Sequence, residues 1–104
     1  MNSSALTHLQ TLRDEYTARC AALQRDLSAG HSSDSAEQAQ ERENDEVMQA
    51  LLAEANSLLQ QTEAAIARYQ AGRYGLCMQC GEPIAAARLE ALPVADTCIA
   101  CAQS

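Results

Sequence analysis

The chain carries Cys77-Met78-Gln79-Cys80 near its C-terminus, followed after residues 81–97 by Cys98-Ile99-Ala100-Cys101. Two Cys-x-x-Cys pairs at this spacing are typical of a tetrahedral zinc site, because thiolates suit Zn²⁺ and each pair can hold the ion from one tight turn. Gly81 supports this interpretation, since a glycine after the second cysteine can take the positive φ that such a turn requires. The sequence predicts one Zn²⁺ with four ligands: Cys77, Cys80, Cys98 and Cys101.

Disulfide bonds and redox chemistry agree less well with the sequence around the four cysteines than a zinc site does. Two disulfides need an oxidising compartment, yet Met1-Asn2-Ser3-Ser4 leads into neither a basic nor an apolar segment of a signal peptide. A thioredoxin-type redox pair needs a βαβ pattern, which surrounds neither pair. Four thiolate ligands leave no open coordination position, so the zinc is expected to be structural. The zinc-bound thiolates and the lack of a signal segment predict a cytoplasmic protein.

Composition excludes several function classes. The chain has 104 residues, no tryptophan or phenylalanine, and a formal net charge of −7 with no lysine. A large core and a surface for nucleic acid are both unexpected, and sequence-specific DNA binding is not predicted. No apolar run approaches the length of a membrane span. His8 and His31 have no second residue nearby that chemistry would need, so we predict that the protein is not an enzyme.

Two long helices are predicted before the cysteines. One covers residues 5–29, with apolar residues at spacings of three and four, and the other covers residues 36–71 without glycine or proline. The first stripe consists of Leu6, Leu9, Leu12, Tyr16, Cys20, Leu23 and Leu27. The second follows a heptad-like pattern through Met48, Leu51, Ala55, Leu58, Thr62, Ala65 and Tyr69. Because the connection is short, the helices are expected to pair in antiparallel fashion.

The predicted fold is therefore mainly α: a long antiparallel two-helix coiled-coil hairpin with a small C-terminal four-cysteine zinc finger. We expect an arm over residues 1–71, with its tip at residues 30–39, and the finger over residues 72–104. Ile84, Leu89, Leu92, Val94 and Ile99 are expected to pack around the metal site. Arg88 is expected either to face solvent or to pair with an acidic residue, and Cys20 to act as a small buried apolar residue.

The predicted tip is strongly acidic. Between Asp34 and Glu46 the sequence has six carboxylates and one base, Arg42. Acidic residues in the first turns of a helix also favour the helix dipole, so composition alone leaves open whether these residues only cap and solvate the helix.

The finger sequence closely resembles that of the bacterial DksA/TraR family. The resemblance rests on Gly72-Arg73-Tyr74-Gly75-Leu76-Cys77 through Ile84, on Arg88 to Ala95, and on Cys98-Ile99-Ala100-Cys101. Members of the DksA type have an Asp-x-x-Asp-x-Ala signature at the coiled-coil tip. Here Asp34 and Ala39 match that signature, and Glu37 replaces the second aspartate.

This resemblance implies a transcription regulator that binds RNA polymerase directly as a monomer. Its coiled coil would enter the secondary channel and place Asp34, Glu37 and Ala39 near the polymerase active site. An alternative is a zinc-finger and coiled-coil adaptor for another protein, which the glutamate at position 37 favours.

The chain also departs from the DksA pattern. From the resemblance we expect the chain to lack the additional N-terminal segment and the C-terminal helix that DksA proteins carry. Positions at which DksA proteins place basic residues against the alarmone ppGpp correspond to Gln61, Leu92 and Ala102, none of which is basic. We therefore expect no ppGpp binding at this site.

Overall fold

The computed structural model of the chain describes residues 3–28 and 35–103. Its elements are four helices: α1 (Ser3–Ser28), α2 (Ser35–Gln70), α3 (Ala86–Ala91) and α4 (Ile99–Ala102). Helices α1 and α2 match the two predicted long helices to within two residues at each end. None of the helices among the described residues is long and apolar enough to cross a membrane.

The described part of the chain forms two compact units. Residues 14–59 make up the first, which we call the arm unit, and residues 1–13 together with 60–104 make up the second, the finger unit. The predicted domain boundary after residue 71 is not tested by this grouping and stays a prediction.

In the finger unit, the two long helices pack around Leu9. Its side chain is fully buried against Ala65 and Ile66 of α2, and Tyr74 and Val94 of the finger segment complete this core. Burial of a leucine side chain contributes about 1.5–3 kcal/mol, which makes Leu9 a principal apolar link between α1 and α2 here.

In the arm unit, α1 and α2 pack in antiparallel fashion. Cys20 is buried, and its thiol donates a hydrogen bond of 3.2 Å to Asn56 Oδ1. Ala55 beside Asn56 is 1% exposed. Cys20 therefore fills an apolar position, as predicted, and also joins the two helices through a polar contact.

The periodicity of the sequence predicts the packed faces well. All seven residues of the α1 stripe are buried or half-buried, and six of the seven α2 residues are too. The exception is Leu51, which is 46% exposed. The mainly helical fold with an antiparallel hairpin and a four-cysteine cluster is confirmed.

Helix α2 ends at a glycine-containing cap. Gly72 has φ 76°, its N–H donates to Tyr69 O at 3.0 Å, and the N–H of Arg73 donates to Arg68 O at 2.8 Å. This pair of bonds forms a Schellman motif, which satisfies carbonyls at the helix end and turns the chain. The finger segment therefore leaves α2 in a defined direction.

Candidate metal centre

The first cysteine pair lies on a tight turn held by backbone hydrogen bonds. Gly81, at φ 80°, donates its N–H to Cys77 O at 2.9 Å, and the N–H of Cys77 donates to Glu82 O at 2.8 Å. An isolated antiparallel bridge between Leu76 and Pro83 closes the base of this turn. As predicted, glycine follows the second cysteine because the turn requires a positive φ.

The second cysteine pair lies at the start of α4. Cys98 occupies the N-cap position, and Cys101 follows in the only turn of this helix. The two pairs are joined by a backbone bond of 2.8 Å from Met78 N–H to Asp96 O. The turn and the short helix therefore present their thiols to one another.

The four Sγ atoms lie within 4.8 Å of one another. The Sγ atoms of Cys80 and Cys98 are 3.8 Å apart. A tetrahedral zinc with bonds of about 2.3 Å requires sulfur separations of about 3.8 Å, so the cluster has the size of a zinc site and needs only a small contraction. All four thiols are free in this structure, as is that of Cys20.

Three of the clustered thiols have pKa values shifted from the ordinary value, and not all in the same direction. The N–H of Cys80 lowers the pKa of the Cys77 thiol to about 6, with smaller contributions from the N–H groups of Cys98 and Gln79. In contrast, the neighbouring thiols, Cys98 first, raise the pKa of Cys101 to about 12. At Cys80 the Glu82 N–H lowers the thiol pKa, but the Cys77 thiol, burial and the Cys98 thiol together outweigh it, so the pKa is raised. Four thiolates at this separation need a cation to balance their charge.

Side chains outside the quartet hold the loops in place. Arg88 Nε donates to Thr97 O at 2.9 Å, directly before Cys98. Tyr74 Oη donates to Pro93 O at 2.9 Å, and burial raises the pKa of Tyr74. Arg68 Nη2 donates to Val94 O at 3.3 Å. Because these bonds end on backbone carbonyls, no pattern of charged residues in the sequence could have indicated them.

The apolar residues expected around the metal site are only partly buried. Ile84 is buried and Leu89 and Val94 are half-buried, whereas Leu92 and Ile99 are 43% and 52% exposed. The expectation was therefore wrong for Leu92 and Ile99. Arg88 was expected at the surface or paired with an acidic residue, and its half-buried side chain binds a carbonyl instead.

The predicted tip residues lie outside what the structure describes in side-chain detail. Asp34 is not among the described residues, and for Glu37 and Ala39 only the helical backbone is described. Their assignment as a functional tip stays a prediction.

Two family models match consecutive parts of the chain. Residues 7–69 match the DnaK suppressor protein-like (DksA-like) N-terminal domain, and residues 72–104 match the prokaryotic dksA/traR C4-type zinc finger. The chain belongs to the DksA-like family. The family match and the thiol cluster together confirm the prediction of a C4-type zinc finger for one zinc ion.

Solved structures agree with this assignment. The chain is 33% identical to the DnaK suppressor protein from Agrobacterium tumefaciens C58, with a TM-score of 0.67, over 99% of this chain and 93% of that one. It is 27% identical to the transcription factor DksA2 from Pseudomonas aeruginosa, with a TM-score of 0.72, over 97% of this chain and 76% of that one. No curated protein matches the chain by sequence.

Proposed function

We propose that this DksA-like protein is a cytoplasmic transcription regulator that binds RNA polymerase directly and inserts its coiled-coil tip into the secondary channel. The observation that carries the proposal is the family match, which extends over both the helical region and the finger. Similarity to a protein described as a transcription factor supports the same role.

In this proposal the zinc ion is structural. Cys77, Cys80, Cys98 and Cys101 are its four ligands, and the ion links the turn after α2 to α4. Zinc supplies the cross-link and the positive charge that four close thiolates need. The chain itself positions the thiols through Gly81, Met78 and Arg88. Tyr74 joins the finger segment to the helices by packing against their shared core.

The charge distribution supports a role for the arm in partner contact. Residues 14–59 contain ten acidic residues and three arginines, so this segment carries the entire net charge of −7 and the rest of the chain is neutral. Such a segment is attracted to basic or metal-containing surfaces and repelled by nucleic acid. A carboxylate tip suits a site that holds Mg²⁺ or basic side chains.

The first prediction tests the tip. We expect Asp34→Asn and Glu37→Gln each to abolish the effect on transcription in vitro while binding to core RNA polymerase stays nearly unchanged, because most of the contact area would lie outside the tip. Glu37→Asp should keep or raise activity, since it restores the shorter carboxylate of the family signature. Competition binding to core polymerase is measured beside transcription for all three variants.

Two results would contradict the proposal in different ways. If Asp34→Asn and Glu37→Gln regulated transcription as strongly as wild type, the tip carboxylates would have no role in regulation. Failure of the wild-type protein to bind core polymerase would instead favour the adaptor function.

A further inference from the structure

The arm unit contains an open groove between α1 and α2. The groove has a volume of about 350 Å³ and is lined by Arg19, Leu23, Leu51, Glu54 and Ala55. On the α2 side Ala55 is too small to fill it, and on the α1 side Arg19 lies over the Tyr16 ring, 5.3 Å from its centroid. Leu51 consequently remains 46% exposed at a position where periodicity predicts burial.

The apolar surface continues beyond the groove. Val47 is 60% exposed. It precedes Leu51 by one helical turn, so the two side chains lie on the same stripe of α2. Two large apolar side chains one turn apart, next to a groove between two helices, match the surface that an amphipathic helix uses for docking. This arrangement suits an incoming helix better than a small ligand, because the exposed apolar side chains extend along α2 one turn beyond the groove.

Charge decides which helix the surface would accept. Arg19 and Glu54 both line the groove, Glu46 is exposed beside the apolar stripe, and residues 14–59 as a whole carry a net charge of −7. A second copy of the chain would bring the same negative charge to the contact and be repelled. A helix with lysine or arginine beside its apolar face would be attracted to the surface.

We infer that Val47, Leu51 and the adjacent groove form a docking surface for a basic amphipathic helix of a protein partner. This surface is separate from the metal centre and consists of described residues other than the proposed tip. The inference does not require that the partner be RNA polymerase.

Three synthetic helical peptides of about five turns provide the probe. The basic peptide has leucines one turn apart on one face and lysines elsewhere. The acidic peptide has glutamate in place of every lysine, and the polar peptide has glutamine in place of every leucine. Each is titrated into the zinc-loaded, ¹⁵N-labelled full chain and followed by NMR.

We expect the basic peptide to bind and to shift amide signals of residues 19–23 and 47–55, with weaker binding at higher salt. The double variant Val47→Gln/Leu51→Gln should weaken this binding at least about tenfold, because two apolar anchors are lost. Leu92→Gln, which replaces a similarly exposed apolar residue of the finger unit, is the matched control and should bind within about twofold of wild type. Should the double variant unfold, Val47→Gln alone replaces it, since Val47 is largely exposed.

Several results would overturn the inference. If the acidic peptide bound as tightly as the basic one, the charge argument would fail. If the polar peptide bound as tightly as the basic one, the apolar contact would not be needed for binding. Undiminished binding by the double variant, or shifts confined to other residues, would place the contact elsewhere. Self-association of the wild-type chain that the double variant abolishes would identify a second copy as the occupant.

Discussion

Arg88 contacts the backbone segment that leads into Cys98, one of the four proposed zinc ligands. Its Nε donates to Thr97 O at 2.9 Å, and Thr97 directly precedes Cys98. Groups that orient metal ligands from outside the coordination sphere commonly affect metal affinity about 10–100-fold. We propose that the guanidinium of Arg88 plays this part through the main chain at Thr97 instead of through the thiol.

We predict that Arg88→Leu weakens zinc binding about tenfold, the lower end of the range for such groups. The zinc affinity of Arg88→Lys should lie between those of Arg88→Leu and wild type, because lysine keeps the charge but lacks the planar donor group of arginine. Zinc affinity is measured by competition with a chromophoric chelator. Arg73→Leu, which removes an exposed arginine side chain, is the control. Equal zinc affinity of the Arg88→Leu and Arg73→Leu proteins would show that the bond to Thr97 has no such role.

Some side-chain positions followed from the sequence and others did not. The cysteine spacing predicted the quartet because the two cysteines of each Cys-x-x-Cys pair lie close enough to hold the same ion. Periodicity predicted the faces of α1 and α2, since helical geometry determines which residues share a stripe. It could not predict that Leu51, Leu92 and Ile99 remain exposed, because burial also depends on whether the opposite element fills the space. The bond from Arg88 to a carbonyl has no signature in residue type at all.

Among the elements, the turn that carries Cys77 and Cys80 depends most directly on backbone conformation. Gly81 has φ 80°, and a Cβ added there would meet nothing within 4 Å. Any cost of replacing this glycine is therefore conformational and not steric. A residue with a side chain loses about 1–2 kcal/mol in the left-handed region, and asparagine tolerates it better than most.

We accordingly predict that Gly81→Ala weakens zinc binding about 5- to 30-fold, because the finger folds as it binds the ion and the strain appears in the binding free energy. Gly81→Asn should lose less zinc affinity than Gly81→Ala, because asparagine tolerates the left-handed region better. The measurement is again chelator competition, with circular dichroism to confirm that helix content with zinc bound is unchanged. Identical affinities for the glycine, alanine and asparagine proteins would mean that the turn relaxes to another conformation.

At the scale of the whole molecule, the finger and the helices share one core. Tyr74 and Val94 pack on Leu9, Ala65 and Ile66, so loss of the finger would uncover the part of the helix pair that lies in the finger unit. The arm unit has its own contacts, including the bond from Cys20 to Asn56. The two units should therefore respond differently when zinc is removed.

We predict one zinc ion per chain and selective unfolding on treatment with a strong chelator. Residues 72–104 should unfold, and helix should also be lost over residues 3–13 and 60–70, while the arm unit keeps part of its helix. Native mass spectrometry gives the metal content, and amide exchange before and after chelation locates the loss. A zinc-free protein lighter by two protons for each Cys-x-x-Cys pair would indicate disulfides and contradict the assignment of the quartet.

The response to ppGpp is a further property of the whole molecule. Exposed, neutral side chains occupy the three positions that correspond to the ppGpp-contacting residues of DksA proteins: Gln61, Leu92 and Ala102. These side chains offer no positive charge to a polyphosphate. We predict that the effect on transcription is largely independent of ppGpp. The test uses a polymerase from which any separate alarmone site has been removed. Strong synergy between the protein and ppGpp on that polymerase would contradict the prediction.

The division of the chain into units also has a consequence for the order of folding. The arm unit is continuous in sequence, whereas the finger unit joins residues 1–13 to residues 60–104. Contacts between distant segments form slowly, because a long loop must close before they are made. During synthesis on the ribosome, the arm unit can pair its helices before the last cysteines have been translated. We therefore expect residues 1–13 to pack only after residues 60–104 have been synthesised. The metal centre should assemble last, so zinc binding would complete folding instead of initiating it.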